Sequence, residues 1–275
     1  MSSMKLFRGE FGHVSVLSVA SDLVTHAHPE LHIIIWIDGA AGEMLVGEHS
    51  IALGLGTAVG VNSLEPHSHS FESGSRPGLF LAFYIDPNWA RVRRGLAQSA
   101  QLFRHPAIPI DAWLHRATID LFDRLAIEQG ADDLVPYEIE RLIDSLMDAA
   151  DSSHSQELPP IRAYSRPDFR VRKAIELMKA NVSERISLDE VARSVGLSRP
   201  HFFSLFKEQT NLTPNVYWNT LRMEEALRQL QSTEESLTAV ACNLGFTSQG
   251  NFTRFFRDHA GVPPTLYREA VRAAG

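Results

Sequence analysis

Four histidines in the first quarter of the chain have the type and spacing needed to hold a ligand. His26 and His28 lie two residues apart, His32 follows, and His67 lies in a later segment. Side chains two apart in a strand point the same way, so His26 and His28 can converge on one point. Neutral imidazoles bind zinc, iron, nickel or copper. If this part of the chain holds a metal, the spacing makes His26, His28 and His67 the first ligands and His32 the fourth. Without a metal, the same histidines would line a pocket for a small organic effector.

The segments around these histidines have the pattern of short β-strands. Residues 32–37, HIIIWI, are apolar or aromatic at nearly every position, as in a strand that is buried on both faces. Glycines separate further short apolar runs over residues 42–71, and GLFLAFYID at 78–86 predicts another strand. Many short strands with glycine turns predict a β-barrel or a β-sandwich.

Two stretches after Asp86 have the periodicity of amphipathic helices. These helices pack either on the strands or on a second copy of the chain, and both alternatives stay open. Serine and proline then accumulate over residues 151–167, where periodicity ends, which predicts a linker. The apolar stripes are Leu114, Ala117, Leu121 and Leu125 in the first helix and Ile139, Leu142, Ile143 and Leu146 in the second.

The last hundred residues contain one pattern twice. SLDEVARSVGLS at 187–198 parallels SLTAVACNLGFT at 236–247. HFFSLFKEQTNLTPNVY at 201–217 likewise parallels NFTRFFRDHAGVPPTLY at 251–267. Two copies are fewer than the roughly three that a helical solenoid needs.

Each copy predicts a short amphipathic helix, a glycine turn and a second helix. This order is the helix-turn-helix pattern. The turn residue suits a left-handed conformation, and a serine or threonine follows it as the N-cap of the second helix. The expected turn, N-cap and terminal residues are Gly196, Ser198 and Asn211 in the first copy, and Gly245, Thr247 and Gly261 in the second.

A long helix is predicted between the two copies. Thr213 is its expected cap, Pro214 suits its first position, and the helical pattern continues to Ser232. A helix of this length spans about 28 Å, near the ~34 Å of one DNA turn. Two successive major-groove segments could then be contacted by one chain.

The second helix of each copy exposes side chains that suit DNA. Arginine, asparagine, glutamine and lysine contact base edges and phosphates. Phe203 in the first copy either touches a thymine methyl group or joins the core. The exposed set is Arg199, Pro200, Phe203, Ser204 and Lys207 in the first copy, and Gln249, Asn251, Thr253, Arg254 and Arg257 in the second.

Residues 168–272 resemble the DNA-binding domain of the AraC/XylS family of bacterial transcription regulators. The resemblance rests on SLDEVARSVGLSRPHFFSLFK, TPNVYWNTLRMEEALRQL and GFTSQGNFTRFFRDHAGVPPTLYR. It implies seven helices, with two helix-turn-helix units joined by a long helix. It also implies that the base-facing positions are Arg199, Pro200, Phe203 and Ser204 in the first unit, and Gln249, Gly250, Asn251, Thr253 and Arg254 in the second.

Residues 10–86 resemble, more loosely, the cupin-like effector domain of the same family. Metal-binding cupins place ligands at the positions of His26, His28 and His67, and usually a glutamate at that of His32. The implied site holds either a divalent transition metal or, without metal, a small organic effector. Trp36 is expected to join the four histidines around an effector, and His69 and Glu30 are further candidates.

The resemblance implies an α+β chain of two domains. Residues 1–150 form a cupin-like β-barrel with flanking helices, residues 151–167 a linker, and residues 168–275 an all-α DNA-binding domain. The predicted function is transcription regulation controlled by an effector or a metal. Expected partners are promoter DNA, the effector, a second copy of the chain and, for an activator, RNA polymerase. The alternative is a metal-dependent, dioxygenase-like cupin enzyme fused to a DNA-binding domain.

Charge and cysteine usage agree with this organisation. The net charge is −7, but residues 165–275 hold 15 lysines and arginines against 12 acids, while residues 1–164 hold 11 against 21. A mildly basic second half suits a nucleic-acid partner. The single cysteine, Cys242, excludes an internal disulfide. Since the sequence also has no signal peptide and no apolar run of ~20 residues, we expect a cytoplasmic protein.

Overall fold

The chain consists of a sheet-rich N-terminal region followed by a helical C-terminal region. A computed structural model describes residues 4–71, 76–97, 101–127, 134–152, 168–184 and 186–274. Among these residues, none of the helices combines the length and the apolar character that a membrane span requires.

Ten strands in the described part of the chain form two antiparallel sheets. The six-stranded sheet has the order β1-β2-β9-β4-β7-β10 and the four-stranded sheet the order β3-β8-β5-β6. The strands are β1 (Met4–Gly9), β2 (Gly12–Val19), β3 (Leu23–His26), β4 (Leu31–Asp38), β5 (Glu43–Val46), β6 (His49–Ala52), β7 (Thr57–Val61), β8 (His67–Ser70), β9 (Gly78–Ile85) and β10 (Ala107–Pro109).

The strand that the run HIIIWI predicts lies at the centre of the larger sheet. It is β4, which pairs with β9 on one side and β7 on the other, and its first five residues are buried. The predicted strand at 78–86 is β9, so both predictions are confirmed. The predicted barrel is confirmed only as a sheet-rich domain, because pairing among the described strands leaves two separate sheets. We call residues 4–97 of this region the β-domain.

Helix α1 (Pro87–Arg94) lies between β9 and β10, and α2 (Ala112–Ile127) and α3 (Val135–Ser152) follow β10. Seven of the eight predicted stripe residues of α2 and α3 are buried, and Ala117 is partly buried. They pack in one cluster with Ile33, Phe83 and Ile108 of the larger sheet. The stripes are therefore covered within the chain, so a dimer would have to use other side chains. The predicted linker at 151–167 begins inside α3, and its residues 153–167 lie outside the described residues.

The helical region has the seven helices that the resemblance implied, counted over the described residues from Asp168 onward. They are α4 (Phe169–Ala180), α5 (Leu188–Ser194), α6 (Arg199–Thr210), α7 (Pro214–Ser232), α8 (Leu237–Asn243), α9 (Gln249–Ala260) and α10 (Pro264–Ala274). Helix α7 has 19 residues and Thr213 as its N-cap, as predicted. The two helix-turn-helix units are α5–α6 and α8–α9.

The turns of the two units follow the predicted chemistry with one exception. Gly196 and Gly245 both adopt φ +73°, and Asn211 ends α6 at φ +61°. The prediction of Thr247 as the cap of α9 was wrong, because the cap is Ser248, whose hydroxyl accepts from the backbone N–H of Asn251. The second copy has one more residue between its turn and its second helix, and this residue moves the cap along by one.

The helical region packs directly on the β-domain. Residues of α7, α9 and α10 share one apolar cluster with β1 and β2, in which Phe256, Val262 and Tyr267 join Leu6 and Val19. The Thr220 hydroxyl of α7 donates to the backbone carbonyl of Ala27 at 2.9 Å. The two helix-turn-helix units therefore have different neighbours, since the second unit rests on the β-domain.

Two glycines with the same backbone conformation allow this contact to be measured. Gly196 and Gly261 both have φ +73°, but a Cβ at Gly196 would meet open space, whereas one at Gly261 would lie 3.3 Å from Val19. Alanine at either site carries a left-handed strain of about 1–2 kcal/mol. We expect Gly261→Ala to lower the free energy of unfolding more than Gly196→Ala does, as measured by urea denaturation. Equal losses of unfolding free energy in the two variants would show that Val19 of the β-domain does not restrict the side chain at position 261.

Candidate nucleic-acid and ligand sites

The recognition helices α6 and α9 expose the residues predicted to contact DNA. Nine of the eleven are exposed, and Phe203 and Thr253 are half-buried. They are Arg199, Pro200, Phe203, Ser204 and Lys207 on α6, and Gln249, Gly250, Asn251, Thr253, Arg254 and Arg257 on α9.

The face of α6 is organised around one arginine. Arg199 forms an ion pair with Asp189 of α5 at 2.7 Å, and its guanidinium lies 4.9 Å above the ring of Phe203. Phe203 also meets the buried Phe202 edge-on, with ring centroids 5.9 Å apart. Phe203 thus forms the edge of the core while one side of its ring stays on the face of the helix.

The face of α9 is more polar, and several of its side chains are already oriented. The Asn251 amide donates to the Thr247 hydroxyl at 2.6 Å, and Gln249 accepts from Thr238 at 2.8 Å. Arg257 lies 3.3 Å from Asp258. Arg254 is exposed and has no hydrogen-bond or ion-pair partner among the described residues. Arg254 is therefore the cation of this face that is free to contact a base or a phosphate.

Strand pairing brings the predicted histidines together in the β-domain. His26 of β3 is paired in register with His67 of β8, and their ring centroids lie 4.2 Å apart. His28 follows just after the end of β3, with its ring centroid 5.0 Å from that of His67. One ring nitrogen of each of these three residues lies within 4.8 Å of the others. We call His26, His28 and His67 the histidine triad.

The triad rings share one hydrogen-bonding arrangement. Each Nδ1 lies against a backbone carbonyl two residues away: Val24 at 2.7 Å for His26, Glu30 at 3.1 Å for His28 and Glu65 at 2.9 Å for His67. Because a carbonyl only accepts, this contact places the proton on Nδ1 and leaves a lone pair on Nε2. Burial lowers the pKa of His26 to about 3 and that of His67 well below its usual range. His26 and His67 are therefore neutral, and each can offer its Nε2 lone pair to a metal.

The predicted fourth histidine lies beside the triad. His32 is buried, stacks on Tyr84 with centroids 4.2 Å apart, and places Nδ1 3.2 Å from Nε2 of His28. Its own Nε2 has no hydrogen-bond partner among the described residues. His69 lines the same small cavity as His32 and His67, but its Nε2 already contacts the carbonyl of Ala41 at 2.9 Å. Glu30 pairs with His28 at 3.5 Å.

A fifth histidine reaches this cluster from the helical region. His259, in the last turn of α9, is buried, and its ring centroid lies 6.1 Å from that of His26. Its Nδ1 contacts the Phe255 carbonyl at 2.7 Å, while its Nε2 has no partner among the described residues. Sequence reasoning missed His259, since only the packing of α9 on β3 brings it near His26.

Two cavities adjoin the histidines. The smaller one, about 40 Å³, lies inside the β-domain and is lined by His26, His32 and His67. The larger one, about 540 Å³, lies between the β-domain and helices α7, α9 and α10, and His26 and His28 form part of its wall. Trp36, predicted to contact an effector, is not among the described residues lining either cavity, and its indole N–H donates to the Gly39 carbonyl.

The larger cavity has an apolar wall and charges of both signs. Its apolar residues include Met4, Leu17, Met223, Leu227 and Val262, and its charged residues are Arg8, Glu30, Glu224 and Arg228. Arg228 already pairs with Glu225 at 2.5 Å. Burial, together with the charge of Glu30, raises the pKa of Glu224. Apart from Glu30, none of these residues was predicted as a ligand contact, because most of this wall forms only where the two domains meet.

The arrangement of α4–α10 defines a DNA-binding domain with two helix-turn-helix units. A family profile described as a helix-turn-helix domain matches residues 191–270, a range that includes both recognition helices. The chain is 36% identical over 98 residues to the uncharacterized HTH-type transcriptional regulator YobQ of Bacillus subtilis, a match that covers 36% of this chain and 41% of that protein. It is 34% identical over 87 residues to the probable transcription factor PqrA of Proteus vulgaris, which covers 32% of this chain and 71% of that one. The chain belongs to the AraC/XylS family of transcription regulators.

The whole chain also has a structural counterpart. The match to the structure of an apo ToxT variant from Vibrio cholerae covers 96% of this chain and 99% of the ToxT chain, with a TM-score of 0.58 and 11% identity. The match to wild-type ToxT with a bound unsaturated fatty acid covers 98% of this chain and 94% of the ToxT chain, with a TM-score of 0.51 and 13% identity. At these identities the likeness shows the fold alone. YobQ and PqrA are named as a regulator and a transcription factor, so the alternative of a cupin enzyme gains no support from them.

Proposed function

We propose that the chain is a sequence-specific transcription regulator whose binding to promoter DNA is controlled by a small organic effector. Helices α6 and α9 would enter two successive major-groove segments on one side of the DNA. The effector would occupy the 540 Å³ cavity between the β-domain and the helical region. This cavity is the observation that carries the proposal, because it joins the two parts of the chain.

The DNA-binding part of the proposal is supported by exposure and charge. The recognition helices expose nine polar, charged or small residues, and the helical half of the chain is the more basic one. Helix α7 connects the two units, and its 19 residues span about 28 Å. This length is close to the ~34 Å between successive major-groove segments on one face of B-DNA.

Cavity size supports an effector site at the domain contact. About 40 Å³ inside the β-domain admits a water molecule or an ion, whereas organic ligands occupy about 300–1,000 Å³. The cavity between the domains lies within that range at 540 Å³. A ligand there touches both the β-domain and the helical region. It would therefore bind the docked arrangement, in which the two are packed together, with a different affinity from an undocked arrangement, in which they are apart. Such a difference is what a ligand needs in order to shift a conformational equilibrium.

The wall of this cavity suits an amphipathic molecule. Leu17, Met223 and Leu227 can cover an apolar body, while Arg8 and Glu224 can pair with polar or charged ends. ToxT, of the same fold, has been crystallised with an unsaturated fatty acid. Glu30 and Glu224 add carboxylates to the wall here, so we propose an effector with a hydrogen-bond donor or a cationic group in addition to its apolar part.

A cavity-filling variant tests the effector site. Leu227 lines the cavity from α7, whereas Ser232 is exposed at the end of the same helix. We expect Leu227→Trp to lose the response of a promoter to the effector while it keeps DNA binding in a gel-shift assay. Ser232→Trp adds the same ring to α7 and should keep both properties. Native mass spectrometry of the purified chain would identify a retained effector, and a full response in Leu227→Trp would contradict this site.

A further inference from the structure

We propose that the chain binds one divalent transition-metal ion of the zinc class through the histidine triad of His26, His28 and His67. The ion would lie where β3 meets the last turn of α9. This site adjoins the effector cavity, since His26 and His28 form part of the wall of that cavity.

Convergence of the three rings is the first step of the argument. His26 and His67 face each other across the β3–β8 pair, and His28 approaches both from the loop after β3. Their nearest ring nitrogens lie within 4.8 Å of one another. Nitrogens bound to one zinc ion at about 2.0–2.1 Å lie up to ~4 Å apart, so small ring rotations close the site.

Ring orientation is the second step. All three Nδ1 atoms are held by backbone carbonyls, which fixes the tautomer whose Nε2 can act as a ligand. Metal-binding histidines almost always have such a partner on the ring nitrogen that does not touch the metal. The Nε2 atom of His67 is buried and has no partner among the described residues. A metal would satisfy this nitrogen, which otherwise remains unpaired at a cost in stability.

The donor set selects the kind of ion. Three imidazoles suit zinc, cobalt, nickel or copper, whereas magnesium and calcium require oxygen ligands. A fourth ligand is available in two ways. The ring of His32 could rotate so that its unpaired Nε2 points at the ion. Alternatively, a small molecule could enter from the larger cavity beside His26 and His28 and supply the fourth ligand atom. Coordination through Nε2 of His28 would replace its present contact with His32.

The position of the triad gives the ion a structural consequence. His26 adjoins His259 of α9, and Val19 and Leu23 of the β-domain share one apolar cluster with Phe256 and Ala260 of this helix. An ion that fixes the rings of His26 and His67 would hold the surface on which α9 rests. Binding of the ion would therefore stabilise the docked arrangement of the two domains.

Metal binding can be measured directly on the full chain. Untagged protein would be stripped with a chelator and titrated with Co²⁺, followed by its visible absorption, and with Zn²⁺ in competition. We expect about one ion per chain by elemental analysis and a rise in Tm on binding. His28→Gln and His67→Gln should each weaken binding at least tenfold. His28 is half-buried, so His28→Gln serves as the test if His67→Gln does not fold, with circular dichroism as the check.

Two controls separate this site from other sources of metal binding. His49 is exposed on β6, so His49→Ala should bind the ion as the native chain does. His259→Ala should keep the stoichiometry but show a smaller rise in Tm with metal. Absence of Co²⁺ binding at micromolar concentration, or binding that is unchanged in folded His28→Gln, would overturn the proposal. None of these measurements uses DNA or an effector, so they stand apart from the proposed function.

Discussion

Replacement of Phe256 by alanine is expected to lower the free energy of unfolding by about 3–5 kcal/mol, the usual cost of deleting a fully buried aromatic ring. Phe256 is 0% exposed on the inner face of α9. Its ring meets those of Phe252 and Tyr267 at centroid distances of 6.0 and 5.6 Å. The same apolar cluster includes Val19 of the β-domain, so the resulting cavity would also loosen the domain contact.

Two further phenylalanine variants give this prediction its controls. Phe206 is the equivalent residue of the first unit and is also 0% exposed, but its cluster consists almost entirely of helical-region residues. Phe203 is only half-buried. We expect Phe206→Ala to cost a similar amount and Phe203→Ala clearly less, each measured by urea denaturation with circular dichroism. A loss below about 1 kcal/mol in Phe256→Ala would contradict the packing described for α9.

The helical region could be predicted closely because its determinants are local. Each short helix carries its own apolar stripe, and Gly196, Gly245 and Asn211 adopt the left-handed conformation for which their residue types are suited. The start of α7 follows from Thr213 and Pro214, which are adjacent in sequence. Local rules were insufficient at Ser248, where two adjacent hydroxyl residues compete and the backbone decides which one caps α9.

The sites were less predictable because they depend on distant pairs. The spacing of His26 and His28 suggested a shared point, but their approach to His67 depends on the register of β3 with β8. The neighbourhood of His26 and His259 requires residues more than 200 positions apart to pack together. The cavity between the domains has the same origin, since its wall combines Leu17 and Tyr84 with Met223 and Leu227. Nothing in the local pattern of either segment indicates that the other lies opposite.

Among the described residues, the second helix-turn-helix unit packs on the β-domain much more extensively than the first, whose cluster includes Ala27. Under the proposed function, this contact would be the point of control. Helix α9 packs on the β-domain, with Phe256 and Ala260 in one apolar cluster with Val19 and Leu23, whereas α6 packs mainly within the helical region. An effector or an ion at this contact would change the position of α9 relative to α6. In the proposed complex both helices would match successive grooves at once, so a small change in their relative position would alter DNA affinity strongly.

Removal of the Arg254 side chain is expected to weaken binding to the cognate operator by about 5- to 150-fold, which corresponds to the ~1–3 kcal/mol of a bidentate contact with guanine. Arg254 lies on the exposed face of α9, and no described residue pairs with it, so its guanidinium is free to donate two hydrogen bonds to O6 and N7. Removal of a contact that reads a base lowers affinity for the operator more than for unrelated DNA. The measurement is a gel-shift titration against both DNAs at one salt concentration.

Arg193 and a lysine variant separate base contact from simple charge. Arg193 is exposed on the supporting helix α5, where its Nε donates to the Asp189 carbonyl at 3.3 Å. Arg193→Ala removes the same charge from the same domain, so we expect it to change operator affinity much less than Arg254→Ala. Arg254→Lys keeps the charge but loses the planar fork, and its operator affinity should lie between those of the native chain and Arg254→Ala. Equal losses in Arg254→Ala and Arg193→Ala, with both variants folded, would mean that α9 contributes only charge and that sequence is recognised elsewhere.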